Sequence, residues 1–154
     1  MANYHRKDSM LLLGALALGL VSAGPVVAHD VAQIKVASGT VLIERGSQRL
    51  FGVAGTRLQQ SDVVRTGING SAGITFSDHT IMSAGPGSVI ALDRYAFNSM
   101  THAGRLDASM RNGTLSIVSG KIAKQSPGAM KVRTPATILG VRGTEFFVQV
   151  GEGK

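Results

Sequence analysis

Three arginines each follow a valine: Val64-Arg65, Val132-Arg133 and Val141-Arg142. A threonine stands just beyond each pair, at Thr66, Thr134 and Thr144. Neighbouring side chains of a strand point to opposite faces, so each valine can enter a core while its arginine faces away. A guanidinium held in this way is a planar fork that binds a carboxylate through two parallel hydrogen bonds. The chemistry is carboxylate recognition, and it has two readings. Arg65, Arg133 or Arg142 pins Asp62 or Glu145 inside the fold, or the arginines form a row facing a partner. A wider charge asymmetry extends the second reading. Between Asp107 and Glu145 there is no acid, whereas Arg111, Lys121, Lys124, Lys131, Arg133 and Arg142 are all basic. Such a field steers anionic partners. Its plainer reading is a solvated face that keeps the protein soluble.

Nothing in the chain assembles a catalytic site. Cysteine is absent, which removes thiol catalysis, thiolate metal sites and disulfides. Serine is plentiful, but there is no Gly-x-Ser-x-Gly elbow and no histidine spaced to activate one. Gly85-Pro86-Gly87-Ser88 reads as a turn; a phosphate loop would need a lysine and a following helix. The carboxylates are scattered, and nothing recommends a hydrolytic pair such as Asp78 and Asp93. Of the four histidines, His79 and His102 fall in expected loops without a second ligand at metal-binding spacing. His29 and Asp30 read as solvated polar residues, with an amino-terminal copper or nickel site as the alternative. No cofactor is expected. Tryptophan is absent and tyrosine occurs twice, so stacking platforms for single-stranded nucleic acid are poorly supplied.

The elements that must position these residues are short strands. Apolar alternation predicts strands at Gln33–Ala37, Thr40–Glu44, Gln48–Phe51, Asp62–Thr66, around Ile74 and Phe76, Thr80–Ser83, Ser88–Asp93, Thr114–Val118, Met130–Thr134 and Thr144–Val150. In the last of these, Phe146, Val148 and Val150 share a face. Gly85-Pro86-Gly87 interrupts the sheet, because proline cannot donate to a ladder. Asn98–Gly104 is the expected long loop. Arg105–Arg111 is read as a strand on the alternation of Leu106, Ala108 and Met110, with a helix as the alternative because Leu106 and Met110 sit four apart. Asn112-Gly113 then signals a hairpin before Thr114. Turns at near-even spacing favour an all-β, compact β-roll or short β-solenoid; a β-sandwich or barrel is the alternative.

The chain has 154 residues, enough for one domain. Its start reads as a secretory signal peptide. Arg6 and Lys7 precede an uncharged, mostly apolar run from Met10 to Val21, and Val26-Val27-Ala28 fits the small-x-small cleavage rule. Cleavage after Ala28 leaves residues 29–154; Val21-Ser22-Ala23 is a second candidate. The apolar run falls short of the roughly 20 residues of a comfortable membrane span, though an uncleaved inner-membrane anchor is the alternative. Without a cysteine after the run, a lipoprotein is excluded. Past residue 28 the chain keeps 14 basic and 8 acidic side chains, so its basic character does not come from the targeting segment. Export also argues against nucleic acid as a target.

Eight stretches follow one another along the chain: Gly39-Thr40-Val41, Arg45-Gly46, Leu58 with Asp62–Gly67, Ala72–Asp78, Gly113-Thr114-Leu115, Ser119-Gly120-Lys121, Thr134-Pro135-Ala136 and Val141–Phe146. In this order and spacing they resemble the FecR-type periplasmic domain, named after the envelope sensor of iron-dicitrate uptake. The resemblance spans about residues 36–150. Two positions depart from it: Gln60-Ser61 precede Asp62 where glycine is common, and His79 stands where glycine completes a turn. A residue other than glycine there must tolerate positive φ or change the turn type. Only Met1–Ser9 precede the apolar run, so the anti-sigma segment of the family's regulators is not expected, nor is their sigma-factor regulation. The resemblance implies a non-catalytic periplasmic protein-recognition module in envelope signalling, with a link to iron uptake. Its partner would be a receptor, regulator or membrane sensor, met through Arg65, Lys121, Lys124, Lys131, Arg133 and Arg142. Binding of an anionic envelope polymer such as peptidoglycan through the same basic face is the alternative.

Overall fold

A computed structural model describes Gly24 and residues 28–151. The expected signal peptide lies almost wholly outside the described residues. Twelve strands follow in chain order: β1 (Asp30–Ser38), β2 (Val41–Arg45), β3 (Gln48–Phe51), β4 (Arg57–Gln59), β5 (Val63–Thr66), β6 (Ser71–Phe76), β7 (Ile81–Ala84), β8 (Val89–Phe97), β9 (Gly104–Val118), β10 (Met130–Arg133), β11 (Ile138–Gly140) and β12 (Glu145–Val150). One short helix, α1 (Lys121–Gln125), separates β9 from β10. The all-β expectation holds, and the roll takes the form of one curled, largely antiparallel sheet.

The strand order is β3-β2-β5-β8-β9-β7-β6-β1-β4. The 15-residue β9 is the hinge of the curl. Its first half belongs to a front sheet with β8, β5, β2 and β3; its second half belongs to a back sheet with β7, β6, β1 and β4. The inner faces of both meet in one apolar cluster. Ile34, Ile74, Met82, Leu115 and Ile117 come from the back sheet, and Ile43, Val64, Ile90, Leu106 and Met110 from the front. Each fully buried Ile, Leu or Met contributes roughly 1.5–3 kcal/mol by leaving water.

The Asn112-Gly113 hairpin is a correction. The chain does not turn back there, and β9 runs straight through. What changes is the phase. Leu106, Ala108 and Met110 face the core before the dipeptide, and Leu115 and Ile117 face it after. A bulge opposite Val89 and Ile90 supplies the shift: Val89 faces Asn112 while Ile90 faces Met110, leaving Arg111 unpaired. Gly113 adopts φ +96°, and a Cβ on it would lie 2.4 Å from the Ser88 Cα. Ser88 clamps the bend, since its Oγ donates to the Thr114 carbonyl (3.0 Å) and accepts from the Thr114 N–H (3.0 Å). Asn-Gly supplies positive φ to a bulge as readily as to a tight turn.

Ala84 faces Leu115 and Val89 faces Asn112, so β7 and β8 follow one another along one edge of β9. The opposite edge is left to β10, which pairs in parallel with Leu106–Ser109, and to β12, which pairs antiparallel with Gly113–Val118. Both strands end where β9 bulges.

Candidate functional site

Of three buried carboxylates, Asp62, Asp78 and Asp107, the first two make the larger networks. Asp62 accepts two parallel hydrogen bonds from Arg45, Nε to Oδ1 at 2.9 Å and Nη2 to Oδ2 at 2.8 Å, and a third from the Gln59 N–H at 2.8 Å. These bonds to Asp62 raise the Arg45 pKa above its ordinary value, against an opposing push from desolvation. Asp78 is fully buried at the β6–β7 turn. It accepts from Thr80 Oγ1 (2.7 Å), the Thr80 N–H (3.2 Å) and the Ile122 N–H (3.2 Å). The Tyr95 hydroxyl accepts from the Asp78 N–H at 2.9 Å and lies 3.4 Å from Oδ1. Gly120 packs so closely that a Cβ there would fall 2.4 Å from the Asp78 carbonyl oxygen. Asp78 thus ties α1 and β8 to the back sheet. Every donor named here comes from the fold itself, which marks both acids as structural.

The expected pairing of Asp62 with Arg65, Arg133 or Arg142 is corrected, because the guanidinium that reaches it belongs to Arg45. The cause is alternation. Asp62 is buried just before β5, whereas Arg65 sits on the outward face of β5 beside Glu44, with Nε 2.9 Å from Glu44 Oε1. That ion pair is too bent to count as a hydrogen bond. Glu145 is exposed at the start of β12 and forms no ion pair among the described residues.

Register places the remaining predicted residues. Arg49, Glu44, Val63, Ala91, Ser109, Arg133 and Ile138 form one cross-strand row on the outer face of the front sheet. Lys131 lies one row along, opposite Asp107. Arg65 shares this face, three strands from Arg133 or roughly 14 Å away at ordinary strand spacing. Arg65, Lys131 and Arg133 are therefore brought to one surface. Lys121 and Lys124 stand on α1, and Arg142 stands exposed in the turn between β11 and β12. These three are not part of that row. His79 and Ser61 resolve the two departures from the glycine pattern: both adopt positive φ, +68° and +72°.

The feature that sequence reasoning missed is a cleft at the β9 bulge. Its volume is near 520 Å³, and its lining includes Arg111, the Thr134–Thr137 turn, Leu139 of β11 and Val148–Val150 of β12. It opens where β10 and β12 end on the same edge of β9. β11 pairs only with β10 and β12 only with β9, so each has one unpaired edge among the described residues. The walls combine apolar Pro135, Ala136, Leu139, Val148 and Val150 with polar Thr134, Thr137 and Gln149, and the charge is the Arg111 guanidinium. In sequence Arg111 was one member of the acid-free basic span. The change of phase between Met110 and Leu115 was the signal that it occupies a bulge. A second cavity, also near 520 Å³, lies beside the Arg57–Asp30 ion pair and is lined by His79, Lys35 and Thr75 among others. No cluster of metal-ligating side chains exists among the described residues.

The family model for FecR protein matches residues 62–154, from the Asp62 that Arg45 clamps to the end of the chain. The chain belongs to the FecR family, which is regulatory and sensory in character. FecR domains are typically periplasmic. Among the described residues no helix is long and apolar enough to cross a membrane. No curated protein and no solved structure matches the chain.

Proposed function

We propose that this FecR-family protein is a non-catalytic, periplasmic protein-binding module, an accessory or sensor element of envelope signalling with a link to iron uptake. The observation that carries the reading is how the charges divide. Of the buried acids, Asp62 and Asp78 are satisfied inside the fold, and Asp107 is paired with Arg105 through one oxygen. Arg111, Lys131, Arg133 and Arg142 are exposed and form no ion pair among the described residues. Structural arginines and unengaged ones are thus different residues. An unengaged, exposed arginine that lines a largely apolar cleft, as Arg111 does, is the kind of group that anchors a protein partner. Export by the segment Met1–Ala28 delivers the module to the periplasm.

The test is cross-linking of a tagged copy in living cells, followed by mass spectrometry. The controls are a charge-matched periplasmic protein and a high-salt wash. One envelope receptor, regulator or membrane sensor retained through the wash supports the reading. Recovery of cell-wall material alone, released by salt, overturns it in favour of an anionic polymer, since exposed charge attraction is screened by salt.

A further inference from the structure

We infer that the cleft at the β9 bulge receives an extended, acidic segment of the partner protein, added as a strand to the free edge of β12 with its carboxylate on Arg111. The inference rests on the protein-binding reading and names the site for it. Four observations converge. The cleft is lined by residues of two strands that each keep one free edge among the described residues: β12 pairs only with β9, through Gly113–Val118, and β11 only with β10. An unpaired edge presents alternating N–H and C=O groups, which an extended peptide satisfies and a folded surface does not. The lining side chains Leu139, Val148 and Val150 are apolar, as shallow pockets for alternate side chains of an added strand must be.

Charge sets the polarity of the ligand. Arg111 lines the cleft in the bulge, outside the regular ladder. Arg133 stands at the end of β10, opposite Ser109 and just before the Thr134–Thr137 turn that forms one wall. Neither forms an ion pair among the described residues. No acid lies between Asp107 and Glu145 in the sequence that builds this wall. A desolvated carboxylate of the ligand would gain a bidentate, charge-assisted contact there, whereas a basic segment would be repelled. The outer face of the back sheet, also unpartnered among the described residues, has a different chemistry. Val36, Gly73, Ser83, Ser116 and Phe147 form one cross-strand row there without a charge.

The experiment places a photo-cross-linking amino acid at Thr137, in the cleft, or at Ser83, on the back-sheet face, in the full chain within cells. It maps the captured peptide by mass spectrometry. The expected result is capture from Thr137 and not from Ser83, of an extended segment carrying Asp or Glu, reduced about tenfold or more by Arg111→Gln. Circular dichroism and the urea midpoint of Arg111→Gln should match those of the parent. Capture from Ser83 alone overturns the cleft and leaves the protein-binding reading standing. Capture from neither position overturns both. A segment without acidic residues, or capture unchanged by Arg111→Gln, overturns the carboxylate contact.

Discussion

Single residues divide into those that hold the fold and those that are spare. Asp62 sits at 1% exposure with three hydrogen bonds. Asp62→Ala leaves the Arg45 guanidinium and the Gln59 N–H without their acceptor and is expected to cost about 2–4 kcal/mol, less than a fully buried pair because Arg45 keeps some water. Arg142→Ala removes no contact of this kind and should stay within about 0.5 kcal/mol of the parent. Urea melts of the two variants check both values. Ser61 and His79 hold positive φ without being glycine. Left-handed backbone costs a side-chain-bearing residue roughly 1–2 kcal/mol, while glycine gives back roughly 0.5–1 in unfolded-state entropy. Ser61→Gly and His79→Gly should therefore each raise stability by about 0.5–1 kcal/mol, seen as a higher melting temperature. Tyr95 makes a pH prediction. Burial first, then the Asp78 carboxylate, push its pKa well above that of an ordinary phenol. The folded state thus keeps a proton that the unfolded chain begins to lose near pH 10. The stability tied to this proton is complete below that pH and is lost as the pH rises further. Tyr95→Phe should flatten the alkaline arm of a stability–pH profile.

At the scale of elements, β9 decides the architecture. It joins both sheets, and its bulge turns one into the other. Gly113→Ala would press a Cβ to 2.4 Å from the Ser88 backbone at φ +96°, and is expected to destabilise by about 2–5 kcal/mol through overpacking and backbone strain together. The same change at Gly46 is the comparison: φ is +57°, but nothing lies within 4 Å, so only the left-handed strain of about 1–2 kcal/mol is expected. Much of this level was legible beforehand. Period-two alternation located β2, β5, β6 and β12, because an inner face packed on a core forces it. Arg105–Arg111 resolved as a strand for the same reason. The short β4 and β11 escaped, since three residues show too little alternation to read. The helix α1 escaped as well: its five residues carry one buried side chain, Ile122, and it is held by contacts to Asp78 and not by its own periodicity. Asn112-Gly113 was misread because a positive φ is required by a bulge and a hairpin alike. The candidate site was less legible than the fold. Local pattern turned Arg65 and Arg133 away from the core beside a buried valine, but which arginine reaches Asp62 depends on the distant pairing of β2 with β5. The cleft depends on two strands ending at one bulge.

For the whole molecule, the charges that stabilise and the charges that remain free lie on different residues. Arg45, Arg57, Arg65 and Arg105 are engaged by Asp62, Asp30, Glu44 and Asp107. Arg111 and Arg133 are not; Arg111 lines the cleft, and Arg133 ends β10 just before the turn that forms one of its walls. If binding is the purpose of that arrangement, affinity and stability must separate when these two residues change. The measurement is calorimetric titration of the envelope partner recovered by cross-linking into the parent chain and into the Arg111→Gln/Arg133→Gln variant, with a urea melt of each. The account predicts affinity lower by about tenfold or more at an unchanged urea midpoint. Unchanged affinity, or a loss of affinity that tracks a fallen midpoint, would contradict it.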